Sequence, residues 1–154
     1  MPNVLKIYNN LTKYPFGKKL FSLAVCFVTP YFKSIKPVVR ELRPGYCEAL
    51  MPKRRRITNH IKTVHAIAMC NISEFVAGLA IEVSIPTHLR WIPVGMEVKY
   101  LKKGTTDLTA SCSIEVDDWD TVGDLPIHVS VKDTTGLEVF TAVISMRVTP
   151  KPKI

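Results

Sequence analysis

The stretch Asn59–Gly78, NHIKTVHAIAMCNISEFVAG, decides how this chain of 154 residues is to be read. Placed at about 100° per residue, it opens a helix over Thr63–Val83 that is apolar or small almost all the way round. Only Asn71, Ser73, Glu74 and Glu82 break the surface. A surface helix keeps one polar face, so a helix of this kind belongs in a core. Thr63 is expected as its N-cap, and Pro86 bars its continuation. A carboxylate in the middle of such a helix loses hydration, so Glu74 has to be paired, have its pKa raised, or open into a cleft.

Downstream the period changes to two. Val94, Met96, Val98 and Tyr100 alternate with Glu97 and Lys99, which predicts a strand from Trp91 to Gly104. Leu108–Val116 alternates with one wet face, the acidic stretch Asp117–Asp124 reads as a loop, and Ile127, Val129 and Val131 form a third strand face. A long fourth strand is expected over Leu137–Val148 after a turn at Thr135 and Gly136. Upstream, VVREL (38–42) and YCEALM (46–51) flank Pro44 and Gly45 as a hairpin or bent strand. Four consecutive strands beside a helix apolar on all sides predict an α+β domain, an antiparallel meander wrapped around that helix.

The length suits one domain: a helical extension over 1–35, a core over 36–149 and a loose tail over 150–154. With 47% hydrophobic and 22% charged residues the chain lies in the globular class and outside disorder. Its net charge of +8 is unevenly spread. Residues 1–62 hold 13 lysines and arginines against Glu41 and Glu48, whereas residues 63–154 hold 8 against 11 acidic residues. A basic amino-terminal half could serve an anionic ligand, a membrane surface or nucleic acid, or be only a solubilising surface.

Leu20–Val28 is apolar and follows Lys18 and Lys19, which invites a signal- or transit-peptide reading. Against it, the charged part is long and Thr29 and Pro30 end the run without a small-residue cleavage pattern. The run is too short to span a bilayer, so one or two helices packed on the domain are expected, with a peripheral membrane contact as the alternative. Cys26, Cys47, Cys70 and Cys112 form no CxxC pair and read as reduced residues of a cytoplasmic protein. His60 and His65 lack the i, i+4 spacing of a helical zinc site, so no metal is expected.

From Val38 to Val148 the chain resembles the hotdog-fold thioesterases, and within them the phenylacetate-pathway-like branch and its DUF4442 relatives. The residues that carry the likeness are Asn59, TVHA at 63–66, Glu74 eight residues after Ala66, and WIPVGMEVKYLKKG at 91–104. The resemblance implies a curved sheet around the long helix and a homodimer, or a dimer of dimers, with two active sites at the interface. It implies no cofactor beyond the coenzyme A or phosphopantetheine of the acyl-CoA or acyl-carrier-protein substrate. Glu74 would act as base or nucleophile, the Ala66 N–H would bind the carbonyl oxygen, and Asn59 would assist with its amide. His65 would position the loop.

His65 and Glu74, nine residues apart, point to opposite sides of one helix, which fits a site completed by a second subunit. Where the branch usually has two glycines after the histidine, Ala66 and Ile67 stand, and Ile67 narrows the approach to the helix start. Gly78 replaces a hydroxyl found one turn after the carboxylate in related enzymes, and Asn71, on the face of Glu74, is the candidate to substitute for it by hydrogen bonding. For the substrate's phosphates the candidates are Arg54, Arg55, Arg56, Lys102 and Lys103.

The bland readings are a satisfied buried carboxylate for Glu74, an ordinary helix-approach cap for Asn59 and a solvated basic surface for the cations. Rival functions are an acyl-thioester binder without turnover, and a nucleic-acid or membrane-surface binder. No aromatics interleave the RRR run at 54–56, which argues against nucleic acid. No transmembrane segment is expected.

Overall fold

The computed structural model describes residues 3–121 and 123–152. Two helices, α1 (Val4–Leu11) and α2 (Gly17–Val28), and a 3-10 turn at Pro30–Ser34 precede the strands β1 (Val38–Arg43) and β2 (Tyr46–Met51). The long helix α3 (Ala66–Ser84) follows, then β3 (Leu89–Tyr100), β4 (Leu108–Ser113), β5 (Asp124–Lys132) and β6 (Glu138–Pro150). All strands join one antiparallel sheet in the order β1-β2-β4-β5-β6-β3, and α3 packs against every strand of it. This is the hotdog architecture expected from the sequence.

The sheet is not the simple meander expected. After α3 the chain enters β3 at the far edge, where it pairs with β6 from Leu89↔Pro150 to Tyr100↔Phe140. The chain then crosses to β4, which pairs with β2 from Tyr46↔Ser113 to Met51↔Leu108. A period of two fixes which face a side chain takes, not which neighbour supplies the hydrogen bonds. A bulge between Pro93 and Gly95 also leaves Val94 exposed, while Met96 and Val98 pack against the core.

The inner face of the sheet is built by alternation: Cys47, Ala49 and Met51 on β2, Ala110 and Cys112 on β4, and Phe140, Ala142, Ile144 and Met146 on β6 are all buried. Helix α3 answers with Ile72, Phe75, Val76 and Ile81. Each such side chain contributes about 1.5–3 kcal/mol by leaving water, which is why the helix keeps no polar face. Among the described residues α3 alone is long and apolar enough to cross a membrane, and its burial under the sheet marks it as the core helix.

Pro44 and Gly45 close the β1–β2 hairpin. Gly45 has φ 77, and a β-carbon there would lie 2.8 Å from the Ile114 carbonyl oxygen. Gly17 lets α2 turn back on α1, since a β-carbon there would overlap the Leu11 carbonyl. The two helices then cover the β1 edge. The Val39 N–H donates to Ser22 Oγ at 2.9 Å, and the Arg40 carbonyl accepts from Tyr8 Oη at 3.2 Å and Lys18 Nζ at 2.5 Å.

The tail begins later than expected. Pro150 belongs to β6, and Lys151 is tied by its N–H to the His88 carbonyl at 2.9 Å. Lys153 and Ile154 lie outside the described residues.

Candidate active site

Residues 57–65 form a closed loop that delivers the chain to α3. Thr58 pairs with Val64, and the His65 N–H donates to the Ile57 carbonyl at 2.8 Å. Asn59 locks the interior: its Oδ1 accepts from the Thr63 N–H at 3.0 Å and its Nδ2 donates to Thr63 Oγ1 at 2.8 Å. Thr63 is therefore not the helix N-cap; its hydroxyl and N–H are taken by Asn59, and the helix starts three residues later than expected. The Val64 N–H donates to the Gly104 carbonyl at 2.8 Å, which brings the exposed Lys102 and Lys103 to this end of the domain.

The cap is His65, whose Nδ1 accepts from the Ile67 N–H at 3.1 Å. Its carbonyl takes the Ala68 and Met69 N–H groups at 3.0 and 3.3 Å. That arrangement leaves the neutral ring's proton on Nε2. The Ala66 N–H, first in the helix, has no hydrogen-bond partner among the described residues. It stands at the positive end of the α3 dipole, with the exposed side chain of Ile67 beside it.

Glu74 lies eight residues further on, about 12 Å along the axis, so Ala66 N–H and the Glu74 carboxylate of one chain do not converge. The Glu74 side chain is half-buried and makes no hydrogen bond or ion pair among the described residues. It sits in the stripe Cys70, Glu74, Gly78, Glu82, which runs along β3 at i, i+4 spacing. At one end Cys70 Sγ is 3.6 Å from Tyr100 Oη, and that hydrogen bond, with some burial, raises the phenol's pKa. At the other end Trp91 covers Gly78 and donates its Nε1–H to Glu82 Oε2 at 2.8 Å.

Tyr100 and Trp91 thus flank Glu74, and the sequence pattern did not single them out. Their only signal was an aromatic near each end of one strand. Asn71 does not reach Glu74 as expected. It is buried and turned to the 3-10 turn, donating Nδ2 to Ser34 Oγ at 3.1 Å, with its Oδ1 unpartnered among the described residues.

Beside the loop a cavity of about 590 Å³ is lined by Lys53, Arg54, Arg55, Thr58, Asn59 and Lys62. Arg56 is exposed outside that lining. A larger concavity of about 690 Å³ lies on the outer face of the sheet, among Ser111, His128, Ser130 and Thr141, away from α3. A basic cavity that includes Asn59 suits an anionic group, and the Ala66 N–H suits a developing oxyanion.

The sequence profile of DUF4442, a domain of unknown function, matches residues 17–148. No curated protein sequence matches the chain significantly. Among solved structures, the structural-genomics protein APC5556 is 40% identical, with 96% of this chain and 99% of that one covered and a TM-score of 0.85. The thioesterase HI1161 of Haemophilus influenzae is 11% identical over 78% of this chain and 82% of its own, at TM-score 0.69. The protein smu.793 of Streptococcus mutans, solved bound to acetyl-CoA, is 18% identical over 76% of this chain and 91% of its own, at TM-score 0.64. The last two likenesses are of fold alone.

Proposed function

The chain belongs to the DUF4442 family, and from that premise we propose that it hydrolyses an acyl-CoA or acyl-carrier-protein thioester at a site shared by two copies of the chain. The observation that carries this reading is the presence, on one helix, of an N–H at Ala66 and a carboxylate at Glu74 that have no partner among the described residues. The name of HI1161 and the acetyl-CoA held by smu.793 support it.

In this reading Glu74 takes a proton from water as the water oxygen attacks the thioester carbon; alternatively Glu74 attacks that carbon itself, and water then hydrolyses the resulting Glu74–acyl anhydride, releasing the acid and regenerating the carboxylate. The Ala66 N–H stabilises the oxyanion, the C–S bond breaks, and the leaving sulfur takes up the proton. The free second hydrogen of Asn59 Nδ2 assists, and His65 holds the loop. Cys70 and Ile67 border the acyl thioester. Arg55 and Lys62, with Arg56, Lys102 and Lys103 at the rim, receive the phosphates of coenzyme A or of a carrier-protein arm.

The sheet edges support the dimer of this reading. The β1 edge is covered by α1 and α2, whereas β3 is an edge strand with Ile92, Val94 and Tyr100 exposed. Such an edge is open to pairing with its copy, which in the proposed dimer brings Glu74 of one protomer towards Asn59 and Ala66 of its partner. The test is Glu74→Gln against acyl-CoA thioesters of graded chain length. We expect hydrolysis to fall by about 10²-fold or more; an unchanged rate ends the proposal.

A second reading is an acyl-thioester binder without turnover. It is favoured by Trp91 over Gly78, where related enzymes carry a hydroxyl. Calorimetric binding of acyl-CoA with no release of free thiol would select it.

A further inference from the structure

Helix α2 is apolar on two sides. One side is the packed one: Phe21 meets Tyr8 edge-on at 5.0 Å, and Ser22 and Cys26 are buried with it. The other has no partner among the described residues. Leu20, Leu23 and Phe27, spaced three and four apart, share that outer face, with Phe16 before them and Val28 and Tyr31 after. Phe27 is 88% exposed, Val28 78%, Phe16 75%, Tyr31 70% and Leu23 64%. Scattered apolar side chains need no explanation, but a continuous stripe with three aromatics does.

The stripe also has a charge signature. No acidic residue occurs in residues 1–40, and Lys13, Lys19, Lys33 and Lys36 are exposed around the two ends of the stripe. Phe16 is held at φ 62, a left-handed conformation that a bulky residue adopts only under strain, with Lys19 Nζ 5.9 Å from its ring centroid. Large aromatics and leucines on one face with lysines at its margins are the composition of a helix that lies in a membrane interface. A second copy of this chain would bring the same lysines against themselves, whereas an anionic headgroup layer neutralises them.

We infer that the outer face of α2 docks the protein on an anionic lipid bilayer, with Phe16, Leu20, Leu23 and Phe27 entering the interface and the lysines meeting lipid phosphates. The docked face is coupled to the core. Phe32 of the adjoining 3-10 turn packs edge-on against Phe75 of α3 at 5.2 Å, and Ser34 accepts from Asn71. A bilayer held against α2 therefore lies in a fixed orientation to the helix that carries Glu74.

The test is co-sedimentation of the full chain with vesicles of phosphatidylcholine alone and of phosphatidylcholine with phosphatidylglycerol. Three variants accompany it: Phe27→Asp, Leu23→Ser and the pair Lys13→Glu with Lys19→Glu. All four positions are exposed, so circular dichroism is expected to stay that of the wild type. We expect the wild type to favour the anionic vesicles and to release as salt rises. The Phe27→Asp variant should lose about tenfold or more in partitioning, and the lysine pair should lose the anionic preference. The inference is overturned if folded wild type ignores anionic vesicles or if Phe27→Asp and Leu23→Ser bind as it does. A fall in solution mass for Phe27→Asp, read by light scattering, would assign the face to a second copy and overturn it equally.

Discussion

A β-carbon added to Gly78 would stand 3.1 Å from Cη2 of Trp91, whose indole is held by a 2.8 Å hydrogen bond to Glu82. The one glycine of α3 is therefore the seat of an aromatic from β3, and the pair closes one end of the stripe that carries Glu74. Alanine would otherwise be favoured over glycine inside a helix by about 1 kcal/mol. We expect that gain to appear when Gly78→Ala is made in a Trp91→Leu background, and to be cancelled or reversed in the wild type, where the indole must shift. Urea unfolding of the four proteins of that cycle measures the coupling.

Ala66 is the first residue of α3, and His65 before it has φ −64 and ψ 139, which a following proline accepts. Ala66→Pro therefore deletes one N–H and leaves the helix intact. If that N–H holds the oxyanion, turnover of acyl-CoA falls by roughly 10²–10³-fold while the melting temperature stays near that of the wild type. Loss of folding, seen as an early melting transition, would refute the geometric claim, and unchanged turnover the chemical one.

A site shared between protomers predicts complementation. Mixing Glu74→Gln with Ala66→Pro subunits, each inactive alone, produces mixed dimers in which one site has both wild-type groups. Refolding them together in equal amounts should restore about a quarter of wild-type activity by random pairing. No recovery would place both groups in one chain.

The edge strand predicts the oligomer. Ile92→Lys puts a charge on the exposed edge of β3 at a position that is 60% exposed in the single chain. We expect light scattering to report a monomer, with activity lost alongside, and the fold retained by circular dichroism.

Burial pushes the Cys112 thiol up to about 12, and burial together with the neighbouring Cys112 raises that of Cys47 well above its ordinary value. A raised folded-state value stabilises the protein fully below the unfolded value of 9.0, and that contribution is lost as the pH climbs towards about 12. Thermal unfolding should thus weaken across that alkaline window, and less steeply in a Cys47→Ala, Cys112→Ala variant. At neutral pH, iodoacetamide should label the half-buried Cys70 about tenfold faster than the buried Cys26, Cys47 and Cys112.

Much of this molecule was legible in one dimension. The run from Ala66 to Ile81 is apolar or small on almost every side, and that alone demands a helix enclosed by other elements, because hydrophobic burial depends on composition and period and not on the partner's identity. The alternations in β3, β4 and β5 announced strands for the same reason, and Glu74 stood out as a charge with no local partner.

What tertiary structure decided is whatever depends on a choice between distant partners. The pairing of β3 with β6 and not with β4 is a matter of hydrogen bonds between residues about fifty apart in sequence. Thr63 has the chemistry of an N-cap, but Asn59 competes for its hydroxyl and wins, leaving the cap to His65. Asn71 has the spacing to meet Glu74 yet turns to Ser34, and Gly78 looks like a missing hydroxyl until Trp91 is found above it. Side-chain periodicity follows from backbone geometry one residue at a time, whereas each of these four outcomes is a competition that only the assembled fold resolves.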